Sequence, residues 1–152
     1  MKIEEAVNFC KQTNYEGWQM VTFVQKYLNK QMKYSLDNPQ DLPKVAFEKG
    51  YGYCWQQAWC LSYILKKVNI RSELVYATKV DFYESPLKKN ITHQGGHVWC
   101  RVFLNGKEKY VCSCHKDNTP DNLFFIPVSE IKKYHLLAMG VGYLGTIFYH
   151  NT

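Results

Sequence analysis

The apolar residues change their spacing near residue 70, and this change limits the chain to a mixed helix-and-sheet fold. Apolar side chains recur every three or four positions from Cys54 to Val68, which predicts one long, mostly buried helix. From residue 71 the period becomes two, which predicts a strand with one face formed by Leu74, Tyr76, Thr78, Val80 and Phe82. A buried helix followed by alternating strands predicts an α+β fold in which the helix packs on an antiparallel sheet.

Two further helices are predicted before this long helix. Apolar residues have helical spacing over residues 3–11 and again from Trp18 to Met32. The segment SLDNPQDLP at residues 35–43 ends the second helix, because its Asp, Asn and Pro residues favour turns. No repeat, linker or change in composition divides the sequence, so we expect a single domain over residues 1–152.

The sequence HVWCRVFLNGKEKYVCSC is typical of a β-hairpin that turns at its Asn-Gly pair. With a two-residue turn, the register places Trp99 opposite Cys112. Two residues further from the turn, His97 lies opposite Cys114 on the same face, because side chains alternate along a strand. The hairpin therefore predicts that Trp99, His97 and the two cysteines share one face of the sheet.

Short apolar runs predict two more strands, at residues 123–126 and 143–149, and a short helix beginning near Ser129. Residues 83–96 have the polar composition of a long connection that ends just before His97. Such a loop is either an ordinary exposed connection or a cover for a neighbouring site, and both interpretations remain open.

Composition excludes several classes of function. The 19 Lys and Arg residues give a net charge of +6 but occur as scattered pairs, so we predict a solvated surface and no nucleic-acid partner. The longest mostly apolar run, residues 136–149, is shorter than the ~20 residues that a membrane helix needs, and no secretory signal is visible. We therefore expect a cytoplasmic protein without a membrane partner, whose six cysteines are free thiols.

Cys54 lies at the predicted start of the long helix, directly after the glycine-containing segment EKGYGY. The unpaired N–H groups and the dipole of a helix N-terminus favour a thiolate, and a nearby imidazolium favours it further. His97 would reach Cys54 if the helix packs that face across the sheet. The pair predicts a cysteine nucleophile, a histidine that protonates the leaving amine, and backbone N–H groups that receive the oxyanion.

These residues stand in motifs that resemble those of a known family. The segment YGYCWQQA resembles the nucleophile segment of transglutaminases, YGxCWxxA, and HVW at residues 97–99 resembles their histidine strand. The stretches FVQKYLNKQMKYSLDNPQ and LKKVNIRSELVYA are similar to neighbouring segments of the wider transglutaminase-like superfamily. The likeness extends over roughly residues 20–115. It implies a papain-like fold with Cys54 as nucleophile and His97 as base and acid.

The third catalytic member of this family is an aspartate on the strand after the histidine strand, and the sequence departs from that pattern. An alignment without gaps puts Cys112 in its place, and an alignment with a gap puts Ser113 or Cys114 there. Asp117 supplies the carboxylate only if the chain turns back; otherwise a thiol, a backbone carbonyl or a water orients the ring. Because the aspartate fixes the tautomer and stabilises the imidazolium, its loss is expected to weaken catalysis without changing the nucleophile.

Two other sets of residues are candidates for parts of a site. Trp55 and Trp99, beside the pair, are candidates for the wall of a substrate cleft, with packing in the core as the alternative. The sequence CSCH at residues 112–115, with Cys100 and His93, suggests zinc, but CxC is not a usual structural zinc spacing. We therefore predict no metal site and no other cofactor.

The expected function is thiol acyl transfer, in which Cys54 attacks a carboxamide or peptide carbonyl and forms a thioester. Water as acceptor gives a peptidase, amidase or deamidase, whereas an amine gives a crosslinking transglutaminase. We favour hydrolysis of a protein or peptide substrate, although the sequence does not select the acceptor or the oligomeric state. The alternative is a catalytically impaired domain of this fold that serves as a binding or scaffold module.

Overall fold

The computed structural model describes residues 1–134. Its helices are α1 (Ile3–Lys11), α2 (Gly17–Gln31), α3 (Pro43–Lys49) and α4 (Cys54–Lys67). Its strands are β1 (Lys33–Tyr34), β2 (Tyr51–Gly52), β3 (Arg71–Tyr83), β4 (Ile91–Leu104), β5 (Lys107–Val111), β6 (Phe125–Pro127) and β7 (Lys132–Lys133). The α+β class is confirmed, and none of the helices in this described range is long and apolar enough to cross a bilayer.

The main sheet is antiparallel, with strand order β5-β4-β3-β6 and with β7 paired to β3. The small strands β1 and β2 form a separate parallel pair. Helix α4 packs against the other helices and against β3 and β4, so it lies at the centre of the molecule, as its apolar stripe predicts.

The β4–β5 hairpin turns at residues 105–106 with the predicted two-residue register, in which Leu104 pairs with Lys107. The pairing ends where Val111 meets Cys100, and the chain then leaves the strand. The predicted cross-strand pairs of Cys112 and Cys114 are therefore wrong, because both cysteines follow the end of β5.

Two groups of buried side chains cover the two faces of the sheet. The first group contains most of the helical apolar residues together with Val98, Cys100 and Val102. The second contains Trp99 and its neighbours on β3 and β6. Because side chains alternate along β4, these groups lie on opposite faces. Each fully buried aliphatic side chain contributes about 1.5–3 kcal/mol to stability.

A bulge in β3 changes which face its residues occupy. The pairing with β4 shifts between Ala77 and Val80, so β3 carries one extra residue there. Tyr76 packs in the first core group, whereas Val80 and Phe82 pack in the second. The prediction of one continuous face from residue 74 to residue 82 is therefore wrong, because an inserted residue reverses the alternation.

Helix α3 was not predicted, because the prolines and polar residues of the segment 35–43 indicated only a turn. Pro43 stands in its first turn, where a proline stabilises a helix since no N–H is needed. Ala46 and Phe47 are buried against the core. Gly50 ends the helix in the left-handed conformation, with φ of 89°, which favours glycine.

The predictions for the C-terminal third of the chain are only partly met. The strand predicted at 123–126 overlaps β6 only at residues 125–126. The helix predicted near Ser129 is wrong, because the described residues there continue into β7. Ser129 instead binds the β3 bulge, and its Oγ accepts the Lys79 N–H at 3.0 Å. The loop predicted at 83–96 is shorter, since β4 begins at Ile91. The strand predicted at 143–149 lies outside the described residues.

Candidate active site

Cys54 is the first residue of α4, and its side chain is fully buried. The helix begins there because Gln56 turns back and its Oε1 accepts the Tyr53 N–H at 2.9 Å. Gln56 Nε2 also donates to the carbonyls of Asn38 and Asp41, which ties the start of the helix to the preceding loop. Because the N–H groups of a first helical turn lack partners within the helix, this end of α4 can stabilise an anion that forms nearby.

His97 lies on β4 with only 2% of its surface exposed. Its Nε2 lies 3.5 Å from Cys112 Sγ, and its imidazole also forms a hydrogen bond with the Cys54 thiol. Within residues 1–134, its hydrogen-bond partners are therefore two thiols and no carboxylate. The site is a chain of contacts that runs from Cys54 through His97 to Cys112.

Four aromatic rings enclose the His97 imidazole. Phe125, Phe82 and Phe124 present T-shaped contacts with centroid distances of 4.6, 5.3 and 5.7 Å. Trp99 stacks on the ring at 6.1 Å. T-shaped and stacked contacts of this kind favour one ring orientation, so the four aromatic rings hold the imidazole between the two thiols.

The charges of the site follow from burial and hydrogen bonding. Burial alone would lower the pKa of His97, but its hydrogen bonds with Cys112 and Cys54 outweigh burial and raise the pKa to about 9. Burial alone would raise the pKa of Cys112, yet hydrogen bonds with Cys114 and His97 lower it to about 5. The hydrogen bond to Cys112, together with burial, raises the pKa of Cys114 well above its ordinary value. The favoured state at neutral pH is therefore a His97 imidazolium paired with a Cys112 thiolate, to which Cys114 donates.

The remaining cysteines differ from this group. Burial raises the pKa of Cys10 to about 11, and it also raises the pKa of Cys60 and Cys100. The thiols of Cys60 and Cys100 donate to the carbonyls of Pro43 and Ala58. These three thiols stay protonated in the interior, and all six cysteines of the chain are free.

Amide side chains fix the turn that follows β5 and carries Cys112. Gln25 Nε2 and Asn118 Nδ2 donate to the Cys112 carbonyl at 2.8 and 3.0 Å. Asn29 Nδ2 donates to the Ser113 carbonyl at 2.8 Å. Because a carbonyl oxygen has two lone pairs, the Cys112 carbonyl is fully used, and its backbone is held in place beside the imidazole.

These buried amides were not predicted from the sequence. Gln25 falls on the apolar stripe of α2 and Gln57 on that of α4, and each is only 1% exposed. Gln57 Oε1 accepts from Ser113 Oγ, and its Nε2 donates to the Gly52 carbonyl. A glutamine on an apolar stripe is the signal that would have identified them, because a buried amide needs hydrogen-bond partners.

The predicted site residues have different outcomes. Of the two proposed third members, Cys112 contacts His97, whereas Asp117 lies elsewhere and its backbone N–H donates to His115 Nδ1. Trp55 is half-buried, and its Nε1 finds no hydrogen-bond partner within the described part of the chain. Trp99 is fully buried, so it does not present the open cleft wall that was predicted but packs against His97.

One group of side chains in the described range could hold a metal ion. The ligand atoms of His97, Cys112 and Cys114 lie within 4.8 Å of one another. Cys100 and His93, which the sequence suggested as further zinc ligands, lie outside this group. The three residues offer one nitrogen and two sulfurs, a donor set that suits zinc.

The sequence of this chain matches one known protein family. The sequence model of the transglutaminase-like superfamily matches residues 5–112. No match was found among curated protein sequences. The matched range includes Cys54, His97 and Cys112, the residues that form the chain of contacts.

Three solved structures share the fold at identities that carry no information on activity. A transglutaminase structure aligns with a TM-score of 0.53 and 11% identity, over 73% of this chain and 30% of its own. A candidate cysteine protease from Cytophaga hutchinsonii aligns with a TM-score of 0.52 and 8% identity, over 88% of this chain and 49% of its own. A candidate protease from Parabacteroides distasonis ATCC 8503 aligns with a TM-score of 0.50 and 12% identity, over 86% of this chain and 26% of its own. The chain thus spans half or less of each structure, and the predicted papain-like, transglutaminase-like fold is confirmed.

Proposed function

The chain belongs to the transglutaminase-like superfamily, and we propose that it is a cysteine acyl-transfer enzyme that acts on a carboxamide or peptide bond. The observation that carries the proposal is the chain of contacts from Cys54 through His97 to Cys112. We assign Cys54 as the nucleophile, His97 as base and acid, and Cys112 as the acceptor that orients the imidazole. Cys112 thus takes the place that an aspartate has in the family pattern.

In the first half of the proposed reaction, the Cys54 thiol loses its proton to solvent, its sulfur attacks the carbonyl carbon, and a C–S bond forms. The carbonyl oxygen becomes an oxyanion, which the N–H groups at the start of α4 stabilise. His97 then gives a proton to the nitrogen, the C–N bond breaks, and ammonia or an amine leaves. With Nε2 facing Cys112, we infer that Nδ1 carries this proton.

In the second half, an acceptor attacks the thioester and His97 takes its proton. The C–S bond breaks, and Cys54 is released together with an acid or a new amide. We favour water as the acceptor, which makes the protein a peptidase, amidase or deamidase for a protein or peptide substrate. We place this activity in the cytoplasm, because free thiols in this number suit a reducing compartment.

Trp55 is the residue that we assign to substrate contact. It follows Cys54 directly, stacks at 6.4 Å on Tyr134, and keeps an indole N–H without a partner within the described residues. An unpaired indole N–H beside a nucleophile can donate to a carbonyl of the bound substrate. The indole face would at the same time cover apolar parts of the acyl chain.

The test is to incubate the chelator-treated protein with glutamine- and asparagine-containing peptides, with and without methylamine. We expect release of ammonia or an amine product and a transient acyl adduct on Cys54, detected by mass spectrometry of the intact protein. Incorporation of methylamine would identify amine transfer, and its absence would identify hydrolysis.

Matched variants make this experiment specific. Cys54→Ala should abolish both the adduct and the product, whereas Cys60→Ala, which changes a structural thiol of the same helix, should retain them. Turnover that persists in Cys54→Ala would overturn the assignment. A wild-type protein that forms no adduct with any peptide, and whose Cys54 is unreactive, would instead favour the binding-module alternative.

A further inference from the structure

Cys112, which we assign as the third catalytic member, belongs to a cluster of side chains that the proposed reaction does not fully use. Cys114 is two residues from Cys112, its backbone N–H points to Cys112 Sγ at 3.5 Å, and its thiol donates to the same sulfur. With His97, the two cysteines bring three ligand atoms within 4.8 Å of one another. The reaction needs His97 and Cys112 but gives no role to Cys114.

The spacing of these atoms is close to that of a tetrahedral zinc site. Zinc binds sulfur at ~2.3 Å and imidazole nitrogen at ~2.0–2.1 Å, so two ligands of one ion lie ~3.5–3.8 Å apart. His97 Nε2 and Cys112 Sγ are already 3.5 Å apart. Cys114 Sγ needs only a side-chain rotation of modest size, because it lies within 4.8 Å of both.

We propose that His97 Nε2, Cys112 Sγ and Cys114 Sγ bind one zinc ion, and that this ion reversibly switches off Cys54. As the Zn–N and Zn–S bonds form, every proton held by His97 Nε2 and by the two cysteine sulfurs passes to solvent, so no oxidant or reductant is needed. The fourth position is left for a water, as in Cys₂His sites that keep an open position.

The surroundings of the cluster support a metal site rather than a chance meeting of thiols. The Cys112 backbone is fixed by Gln25 and Asn118, which limits movement of the ligand. An N–H group that points to a ligand sulfur is a typical outer contact of a metal thiolate. Cys114 is half-buried, whereas Cys112 and His97 are buried, so the ion would enter from the Cys114 side.

The inhibitory effect rests on the proposed function of His97, whereas zinc binding does not. An imidazole that binds zinc through Nε2 keeps its proton on Nδ1. It therefore cannot accept a proton from an attacking water, and it no longer carries the positive charge that stabilises a Cys54 thiolate. Zinc would also take the place of the contact by which Cys112 orients His97. Cys54 would therefore lose the effects of both His97 and Cys112.

Binding is tested by adding Co²⁺ and Zn²⁺ to the full-length, chelator-treated protein. One equivalent of Co²⁺ should give the visible absorption of a tetrahedral ion and a sulfur-to-cobalt charge-transfer band, and Zn²⁺ should displace it. Cys114→Ala should lower the zinc affinity by at least about tenfold. Cys60→Ala should leave the affinity unchanged within about twofold. An equal affinity in wild type and Cys114→Ala would overturn the site.

The regulatory part is tested by the rate at which iodoacetamide labels Cys54. Stoichiometric Zn²⁺ should slow labelling at least about tenfold in the wild type, and a chelator should restore it. In Cys114→Ala the same Zn²⁺ concentration should slow labelling much less. Unchanged labelling at full zinc occupancy would overturn the switch. If no peptide substrate is turned over but cobalt still binds with two thiolates, the proposed function fails and the site stands.

Discussion

Replacing Cys112 with alanine is expected to slow the labelling of Cys54 by iodoacetamide at neutral pH, whereas replacing it with aspartate is expected to preserve it. Alanine removes the acceptor that faces His97 Nε2 at 3.5 Å. The loss should be at least about tenfold and at most about 10⁴-fold, the effect of neutralising the third member of a Ser-His-Asp triad. Aspartate restores an anionic acceptor of similar reach. The rate of Cys54 labelling in Cys112→Asp should therefore stay within about tenfold of the wild-type rate.

Which of the two variants labels Cys54 faster decides the role of Cys112. If the thiol served only to fill space, alanine would be tolerated and aspartate would be the worse substitution, because it would bury a charge. A labelling rate that is higher in Cys112→Ala than in Cys112→Asp would therefore contradict the assignment. Circular dichroism of both variants, with a chelator present, would show that they are folded.

Replacing Gln56 with alanine is expected to lower the free energy of unfolding by about 3–5 kcal/mol. The Gln56 side chain is fully buried and forms three hydrogen bonds, with the Tyr53 N–H and the carbonyls of Asn38 and Asp41. Its removal leaves these backbone groups without partners and opens a cavity beneath the start of α4. Urea unfolding monitored by tryptophan fluorescence measures the change.

Gln19→Ala is the matched control for this prediction, because Gln19 is exposed on another helix. It should change the free energy of unfolding by no more than about 0.5 kcal/mol. A loss below about 1 kcal/mol in Gln56→Ala would mean that water replaces the three hydrogen bonds. In that case α4 does not depend on Gln56 for its start.

The long helix and the hairpin could be predicted from sequence because their signals are local. Cys54 begins α4, and Leu104 pairs with Lys107, as the apolar period and the Asn-Gly turn indicate. The motifs around Cys54 and His97 likewise stand within single elements. The apolar stripe alone does not explain the contact between the two residues, because His97 shares its face of β4 with Trp99, whereas α4 packs on the other face.

The third member of the site could not be chosen from sequence because its position depends on long-range contacts. Cys112 lies beyond the end of β5, and Gln25 and Asn118, far from it in sequence, fix its backbone. Strand alternation placed Cys112 and Cys114 opposite Trp99 and His97, but the pairing ends at residue 111. Beyond residue 111, side-chain amides rather than a neighbouring strand bind the backbone carbonyls. No local sequence pattern indicates where this change occurs.

Two errors in the fold have a similar origin. The bulge after Ala77 inserts one residue into an otherwise regular alternation, and Ser129 binds it from 50 residues away. Helix α3 has the proline of a turn at its start and depends on burial of Ala46 and Phe47 rather than on a long apolar stripe. Both features are stabilised by tertiary contacts that override local preferences.

The central claim is that His97 activates Cys54, and the most direct measurement is the rate of Cys54 alkylation at pH 6.5. An ordinary thiol is only about 1% ionised at that pH, so it reacts slowly. With a chelator present, we expect iodoacetamide to label Cys54 in the wild type before Cys10, Cys60 and Cys100, whose pKa values are raised by burial. His97→Ala should slow labelling of Cys54 at least about 30-fold. Equally slow labelling of Cys54 in both folded proteins, with full labelling in urea, would contradict the account.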